Sequence, residues 1–232
     1  MLKQTVFAAA KSESMPILTG VNLLFQKEKL TCIATNSHRL SLREYGMTSD
    51  VEGSFVVPSE SLTELMKLFN HDSGTMAIYF TSNYMIFQSE SLTLFSRLLE
   101  GSYPKISGLV AIEPRTTITL STNQLLKGVD RACLFAGEWK NTNIKFTLID
   151  GPRLHISSHS SEIGKIEEIQ DIKSHTGVSE LTVSLDGNYL KEALRVIHEE
   201  EVILKFGGPM SPVLIEPMSN HAHLQLISPV RS

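Results

Sequence analysis

The two halves of the chain resemble each other, and this internal repeat constrains the fold more than any other feature of the sequence. The order of predicted elements is the same in both halves, since hydrophobic periodicity indicates a helix, three strands, a second helix and three strands. We therefore expect an α+β fold of two repeated domains, each with antiparallel sheets and two helices on one face. Offsets of 124 and 128 positions align Leu2-Lys3 with Leu126-Lys127, Ala8 with Ala132, Leu62 with Leu190, and Lys67 with Arg195.

The two predicted domains meet in the segment 99–115, which contains two glycines and two prolines. We place the domains at 1–105 and 106–232. Helices are expected at about 2–11, 59–69, 123–136 and 187–198. The strand expected at 116–120 has no counterpart in the first half, so the first domain should lack its first strand. The other strands are expected at about 19–26, 29–35, 38–45, 74–80, 84–89, 92–98, 142–149, 152–159, 163–172, 179–185, 201–206, 212–216 and 222–228.

The composition is typical of a globular protein. Of the 232 residues, 41% are hydrophobic and 20% are charged, which are ordinary values for folded domains. The N-terminus does not have the pattern of a signal peptide, and the apolar runs are too short to cross a bilayer. Cys32 and Cys133 are expected to be buried free thiols of a reducing compartment. We expect a cytoplasmic protein without membrane contact.

The sequence lacks the common signatures of catalysis. It contains no phosphate-binding loop, dinucleotide-binding turn, nucleophile elbow or zinc-protease helix. A hydrolase using His159 and its neighbouring serines (Ser157, Ser158, Ser160 and Ser161) remains a weak alternative, because adjacency alone does not orient a base. The pairs His221/His223 and His155/His159 lack further ligands at metal-binding spacing, so solvent-facing histidines are the preferred interpretation. We expect no enzyme, no cofactor and no metal site.

Two helices of the second half carry basic stripes, although the chain as a whole has a net charge of −4. The stripes are Gln124, Lys127 and Arg131 on one helix, and Asn188, Lys191 and Arg195 on the other. One interpretation is a solvated surface, and the other is a pair of basic ridges that face a phosphate backbone. In the first half only Lys3 and Lys67 remain, so any positive surface should be stronger on the second domain.

Three segments and the C-terminus resemble the bacterial DNA polymerase III β subunit, the sliding-clamp family. The resemblance extends over the whole chain but over only two of the family's three repeated domains, the middle one (1–105) and the C-terminal one (106–232). The segments are Pro16-Ile17-Leu18-Thr19-Gly20-Val21, Ala34-Thr35-Asn36-Ser37-His38-Arg39-Leu40, Ser96-Arg97-Leu98-Leu99-Glu100-Gly101-Ser102-Tyr103-Pro104-Lys105-Ile106, and Leu224-Gln225-Leu226-Ile227-Ser228-Pro229-Val230-Arg231.

The resemblance implies a non-enzymatic processivity factor for DNA replication. Clamps of this family are rings of six DNA-clamp-type domains around duplex DNA, with helices lining the hole and antiparallel sheets outside. Contacts to phosphates in such a ring neutralise charge without selecting a sequence. The DNA-facing candidates are Lys3, Lys67, Lys127, Arg131, Lys191 and Arg195.

The family also binds replicative DNA polymerase and clamp-loader subunits, whose short hydrophobic peptides enter a pocket between the second and third domains. Without the resemblance, core positions would be the preferred interpretation for the leucines. The matching positions are Leu18, Thr35, His38, Arg39, Leu40, Pro104 and Leu109, together with Met210, Pro212, Leu226, Pro229, Val230 and Arg231.

The sequence departs from the family's pattern at three places near these sites. Ser228 stands where the family usually has Leu or Met, which makes one wall of the pocket more polar. Met15 stands in place of a common Arg, and Asn36-Ser37 replaces Asp-Gly in a turn.

Two hypotheses follow for the assembly. The first is a shortened sliding clamp, for which three copies of a two-domain chain could supply six domains through a head-to-tail contact. The alternative is a clamp-derived interaction module that forms no ring and binds or competes for polymerase and clamp-loader peptides.

Overall fold

A computed structural model describes residues 1–12, 14–69, 74–136, 142–149, 153–162 and 164–230. Internal contacts divide the chain into two compact units, Met1–Lys105 and Ile106–Ser232. Each unit combines antiparallel sheets with helices, as expected of an α+β fold.

The described residues of unit 1 form a four-stranded sheet, a three-stranded sheet and one α-helix. The larger sheet has the order β3-β2-β1-β4, and the smaller has the order β5-β6-β7; all neighbours are antiparallel. Three short 3-10 turns cover Leu2–Gln4, Val6–Ala8 and Pro16–Thr19. The elements are β1 (Gly20–Gln26), β2 (Lys29–Thr35), β3 (Arg39–Gly46), β4 (Gly53–Pro58), α1 (Ser59–Leu68), β5 (Ala77–Phe80), β6 (Tyr84–Gln88) and β7 (Thr93–Arg97).

The prediction of an α-helix at 2–11 is wrong, because the segment forms two 3-10 turns. Thr5 separates them with φ −127° and ψ −41°, outside the helical region. Its hydroxyl donates to the backbone oxygen of Leu2 at 3.3 Å, an alternative to helical hydrogen bonding that is typical of threonine. The apolar spacing nevertheless corresponds to burial, since Ala8 and Ala9 lie in the core.

The core of unit 1 lies between its sheets and α1. Leu62 and Leu65 on α1 are buried at the i, i+3 spacing of one helix face. Phe25 and Phe80 pack edge to face with ring centroids 5.0 Å apart, and Phe55 lies 4.6 Å from Phe80. This aromatic cluster joins strands from both sheets of the unit.

Unit 2 contains a five-stranded sheet, a four-stranded sheet and two long α-helices that pack side by side. The strand orders are β12-β8-β14-β15-β16 and β11-β10-β9-β13. The elements are α2 (Ser107–Val110), β8 (Thr116–Ser121), α3 (Thr122–Leu134), β9 (Asn143–Ile149), β10 (Arg153–Ser160), β11 (Gly164–Asp171), β12 (Ser174–Gly177), β13 (Leu181–Asp186), α4 (Gly187–Arg195), β14 (Glu201–Phe206), β15 (Val213–Pro217) and β16 (His223–Ile227).

Two strands were not predicted from the sequence, and the predicted linker is partly helical. β4 corresponds to β13 of unit 2, but its residues Gly53 and Ser54 weaken the apolar alternation. β12 (Ser-His-Thr-Gly) has no apolar residue, and it lies between the strands expected at 163–172 and 179–185. The short helix α2 lies within the segment 99–115.

A side chain at the N-cap accepts backbone hydrogen bonds at the start of each long helix of unit 2. Asp186 accepts hydrogen bonds from the backbone N–H groups of Asn188 (2.8 Å) and Tyr189 (3.1 Å) and so caps α4. Ser121 accepts a longer bond, 3.5 Å, from Gln124 N at the start of α3. Both helices bury their apolar faces, which confirms the amphipathic pattern predicted for them.

Candidate nucleic-acid and peptide interfaces

The basic stripes of unit 2 lie on two adjacent helices. Lys127 and Arg131 are exposed on α3, and Arg195 is exposed on α4, with Lys191 half-buried one turn before it. Because α3 and α4 pack against each other, the structure brings these four basic residues onto one surface, which we call the α3/α4 surface.

Carboxylates share this surface with the basic residues. Arg131 donates from Nε and Nη2 to the two oxygens of Glu168 on β11, at 2.8 and 2.7 Å. Asp130 lies 3.5 Å from Nη2 of Arg195 and 3.9 Å from Nζ of Lys191. The positive charge of the surface is therefore partly balanced within the unit.

Glu168 is held by more than one donor. Gln170 donates from Nε2 to Glu168 Oε1 at 2.8 Å and also to the backbone oxygen of Gln124 on α3 at 2.8 Å. Burial alone raises the pKa of Glu168, but the hydrogen bonds from Gln170 and Arg131 outweigh it and hold the pKa below its ordinary value. Glu168 is therefore an ionised carboxylate at neutral pH.

The corresponding surface of unit 1 carries less positive charge. Lys67 lies in the last turn of α1, and its Nζ is 2.7 Å from Glu64 Oε1. Lys3 is exposed, but it lies in a 3-10 turn and not on the helix predicted for it. Glu60 and Glu64 both lie on α1. The prediction of a weaker basic surface on unit 1 agrees with these side chains.

Four of the predicted pocket residues of unit 1 lie on one β-hairpin. The turn between β2 and β3 is held by Thr35, whose hydroxyl donates to the backbone oxygen of Arg39 at 2.6 Å. Asn36 Oδ1 accepts from the backbone N–H groups of His38 (3.1 Å) and Arg39 (3.0 Å), and Ser37 has φ +75°. The turn exposes His38 and buries Leu40.

Arg39 is a buried residue of this hairpin. Its Nη2 donates to the backbone oxygen of Phe7, and its guanidinium lies 5.2 Å from the centre of the Phe7 ring. Leu18, also in unit 1, is buried at the end of a 3-10 turn, and Pro104 is exposed. Nearby in sequence, burial raises the pKa of Tyr103, so its hydroxyl stays protonated.

The remaining pocket residues belong to unit 2. Leu226 is buried on β16, where it pairs with Leu214 of β15. Val230 N donates to the backbone oxygen of Ser184 on β13 at 2.8 Å, which fixes the segment that contains Pro229. Pro212 is half-buried, whereas Leu109 and Met210 are exposed; Arg231 lies outside the described residues.

Sequence reasoning missed the acidic residues of the α3/α4 surface. Glu168 is 37 residues from Arg131 in sequence, so only the fold brings them together. Asp130 could have been noticed in the sequence, because it directly precedes Arg131 of the basic stripe. Gly128 was also missed: a Cβ there would come within 2.3 Å of Gln170 Nε2 and 2.8 Å of Glu168 Oε1.

The histidines and cysteines only partly follow the predictions. His223 is fully buried, which contradicts its assignment as a solvent-facing residue; its Nε2 lies 2.7 Å from Gln225 Nε2. Cys32 is buried, but Cys133 is only half-buried. Ser158 donates to the backbone oxygen of Ala132 at 2.7 Å, so it ties β10 to α3.

In the described ranges, no three His, Cys, Asp or Glu side chains are grouped as metal ligands would be. The helices of those ranges are too short and too polar to traverse a bilayer.

Family models match nearly the whole chain. The model described as "DNA polymerase III beta subunit, central domain" matches residues 1–105, and the model described as "DNA polymerase III beta subunit, C-terminal domain" matches residues 110–231. The two models match the chain in the order that the family resemblance implies.

Characterised relatives and a solved structure agree with the family models. The chain is 37% identical over 234 residues to the beta sliding clamp of Bacillus subtilis (strain 168) and 36% identical over 236 residues to that of Streptococcus pneumoniae serotype 4. Each match covers 100% of this chain and 62% of the relative. The crystal structure of the DNA polymerase sliding clamp from Bacillus subtilis superposes with a TM-score of 0.95 at 37% identity, covering 100% of this chain and 61% of that chain.

Proposed function

The chain belongs to the DNA polymerase III beta subunit family, and on this premise we propose that it acts as a sliding clamp that associates with duplex DNA regardless of sequence. The observation that carries the proposal is the α3/α4 surface, in a chain whose two domains both match the family. Lysine and arginine side chains on adjacent helices can neutralise phosphates without contacting base edges. In this role the protein tethers a polymerase and catalyses no reaction.

Topological retention tests this function. The protein is loaded on nicked circular DNA with a clamp loader and passed over a sizing column before and after the DNA is linearised. A sliding clamp stays on the circle and is lost from the linear form. Equal retention on both forms would indicate simple electrostatic binding, and no retention on either would favour the interaction module that forms no ring.

We propose further that short hydrophobic peptides of replicative DNA polymerase and clamp-loader subunits bind the pocket residues named above. Of these residues, Met210 and Leu109 are exposed and offer apolar surface of the kind that anchors such peptides, whereas Leu18, Leu40 and Leu226 are buried. A Gln-Leu-x-Leu-Phe peptide should bind with micromolar affinity, in keeping with a small anchor site.

Two variants test the pocket. Deleting Pro229–Ser232 removes one predicted wall, and Met210→Ser removes an exposed apolar side chain without touching the core. Each should weaken peptide binding by about tenfold or more, as loss of an anchor does. Met218→Ser, an exposed methionine of unit 2 outside the predicted pocket, is the matched control. Unchanged binding by both test variants would remove the pocket assignment.

For the assembly, we propose that the two-domain chain closes a ring as a trimer. The support is that β7 is an edge strand of a sheet in unit 1 and β11 is an edge strand of a sheet in unit 2. Edge strands of this kind can pair head to tail between copies of the chain. Light scattering behind size exclusion should give three times the 25.8 kDa of the chain. A monomer mass at tens of micromolar would rule the trimer out.

A further inference from the structure

We propose that Asp130 and Glu168 compete with DNA phosphate for the basic residues of the α3/α4 surface, which leaves Lys127 as the main phosphate-binding residue of unit 2. The inference rests on the proposed association with duplex DNA. The four basic residues look equivalent in sequence. In the described part of the structure, Arg131, Lys191 and Arg195 lie close to carboxylates, whereas Lys127 takes part in no ion pair.

The pair Arg131–Glu168 is the strongest of these contacts. Two parallel N–H to carboxylate bonds at 2.7 and 2.8 Å use the planar geometry of the guanidinium, the same geometry that would bind a phosphate. A phosphate must therefore displace Glu168 before it can bind Arg131 in this way.

Glu168 is fixed in place, and it cannot simply swing away. Its side chain is only 21% exposed, and Gln170 ties its Oε1 to the backbone of Gln124 on α3. The absence of a side chain at Gly128 allows α3 to approach these groups, since a Cβ there would collide with both. The carboxylate is thus part of the packing between α3 and β11.

Asp130 holds the two basic residues of α4 more loosely. It lies 3.5 Å from Arg195 and 3.9 Å from Lys191, and 42% of its side chain is exposed. Asp130 therefore neutralises Lys191 and Arg195 only in part, and both side chains can still attract an external anion.

Lys127 differs from the other three. It is exposed on α3 one turn before Arg131, and among the described residues no ion pair includes it. A phosphate can approach Lys127 without displacing a carboxylate. The same principle applies in unit 1, where Glu64 holds Lys67.

The experiment measures the salt dependence of binding to a fluorescently labelled duplex by anisotropy. Each phosphate contact contributes about 0.9 to the slope of log K against log salt. Lys127→Ala should lower the slope by about 0.9, whereas Arg131→Ala should change it by much less. Glu168→Gln should raise the slope by about 0.9 and tighten binding severalfold at low salt, because it releases Arg131.

Two controls isolate the competition. Glu167→Gln makes the same change in net charge one residue away on β11, where strand alternation directs the side chain to the opposite face, and it should leave the slope near wild type. The double variant Glu168→Gln/Arg131→Ala should lose the gain seen with Glu168→Gln. Asp130→Asn should raise the slope by up to about 1.8, since it releases two cations.

The outcomes separate this inference from the proposed function. If wild type binds duplex and Arg131→Ala lowers the slope as much as Lys127→Ala, while Glu168→Gln has no effect, the competition is wrong and the clamp proposal stands. If neither wild type nor Glu168→Gln binds duplex even at low salt, both the competition and the clamp proposal fail.

The pairing of Arg131 with Glu168 can also be tested in the free protein. Arg131→Ala should raise the pKa of Glu168 measured by carbon NMR, and an unchanged pKa would overturn the pairing itself.

Discussion

Ser37 has a backbone conformation that favours glycine. Its φ of +75° is the left-handed conformation that glycine adopts without steric penalty. The hydrogen bond that the Thr35 hydroxyl donates and the one that Asn36 Oδ1 accepts keep the turn closed in spite of the serine side chain. The hairpin thus retains its shape while carrying local strain.

Relieving that strain should stabilise the protein. We expect Ser37→Gly to raise the free energy of unfolding by about 0.5–1 kcal/mol, after the greater flexibility of glycine in the unfolded chain is counted. Urea denaturation followed by circular dichroism measures the change. Ser37→Ala keeps the Cβ and should give no gain; equal stabilisation by Ala and Gly would show that the backbone is not strained there.

We expect the ionisation of Glu168 to make the free energy of unfolding depend on pH. Its pKa is lower in the folded protein than the ordinary value of 4.5, so the ionised carboxylate stabilises the folded state. This contribution is complete above the unfolded pKa and is lost as the pH falls through the folded value. Wild type should therefore lose its advantage in stability over Glu168→Gln as the pH falls from 7 to 3.

The measurement is a series of urea titrations across that pH range. Glu167→Gln should follow wild type, because Glu167 is exposed and lies 3.5 Å from Lys165 in a surface pair. A constant difference between wild type and Glu168→Gln at all pH values would contradict the prediction.

Among the secondary-structure elements, the two helices of unit 2 differ in the quality of their caps. The Asp186 carboxylate binds two N–H groups at the start of α4, whereas Ser121 makes one long contact at the start of α3. We expect Asp186→Ala to destabilise the protein by about 1 kcal/mol and Ser121→Ala by clearly less. Thermal unfolding of the two variants side by side would show the order, and a larger loss for Ser121→Ala would contradict it.

The elements also show what a sequence can and cannot predict. The helices α1, α3 and α4 and most strands were predicted from hydrophobic periodicity, because their buried faces are continuous. The segment 2–11 has a helical apolar spacing but forms 3-10 turns around buried Thr5, so tertiary packing overrides the local pattern there. β12 could not be predicted because its four polar residues pair with β8 without burying an apolar face.

The candidate sites likewise contain residues that the sequence could predict and residues that only the fold reveals. The basic residues of the α3/α4 surface were visible as stripes, since residues three and four apart share a helix face. Their partner Glu168 was not, because a contact between a helix and a distant strand depends on the register of the sheet. The turn at Asn36-Ser37 was recognised as a turn, but its strain became evident only from the backbone angles.

For the molecule as a whole, each unit has its own hydrophobic core and its own cysteine. Cys32 is buried in the core of unit 1, where burial raises the pKa of its thiol to about 12. Cys133 packs at the margin of the core of unit 2 and is half-buried, and burial raises the pKa of its thiol as well. The two thiols can therefore report on the opening of the two units separately.

We expect two phases when the native protein reacts with a thiol reagent at pH 8, a fast one from Cys133 and a much slower one from Cys32. Cys133→Ser should remove only the fast phase. Leu62→Ala, a cavity in the core of unit 1, should accelerate the slow phase by at least tenfold, since such cavities cost about 2–5 kcal/mol. Val129→Ala in unit 2 should leave the slow phase unchanged; acceleration by both variants would mean that the units unfold together.

The hydrogen bond from Val230 to Ser184 joins the segment around Pro229 to the strand that precedes α4. Ser184 lies two residues before Asp186, which caps the helix that carries Lys191 and Arg195. The segment around Pro229 and Val230 and the first turn of α4 are therefore connected by one hydrogen bond and the last three residues of β13.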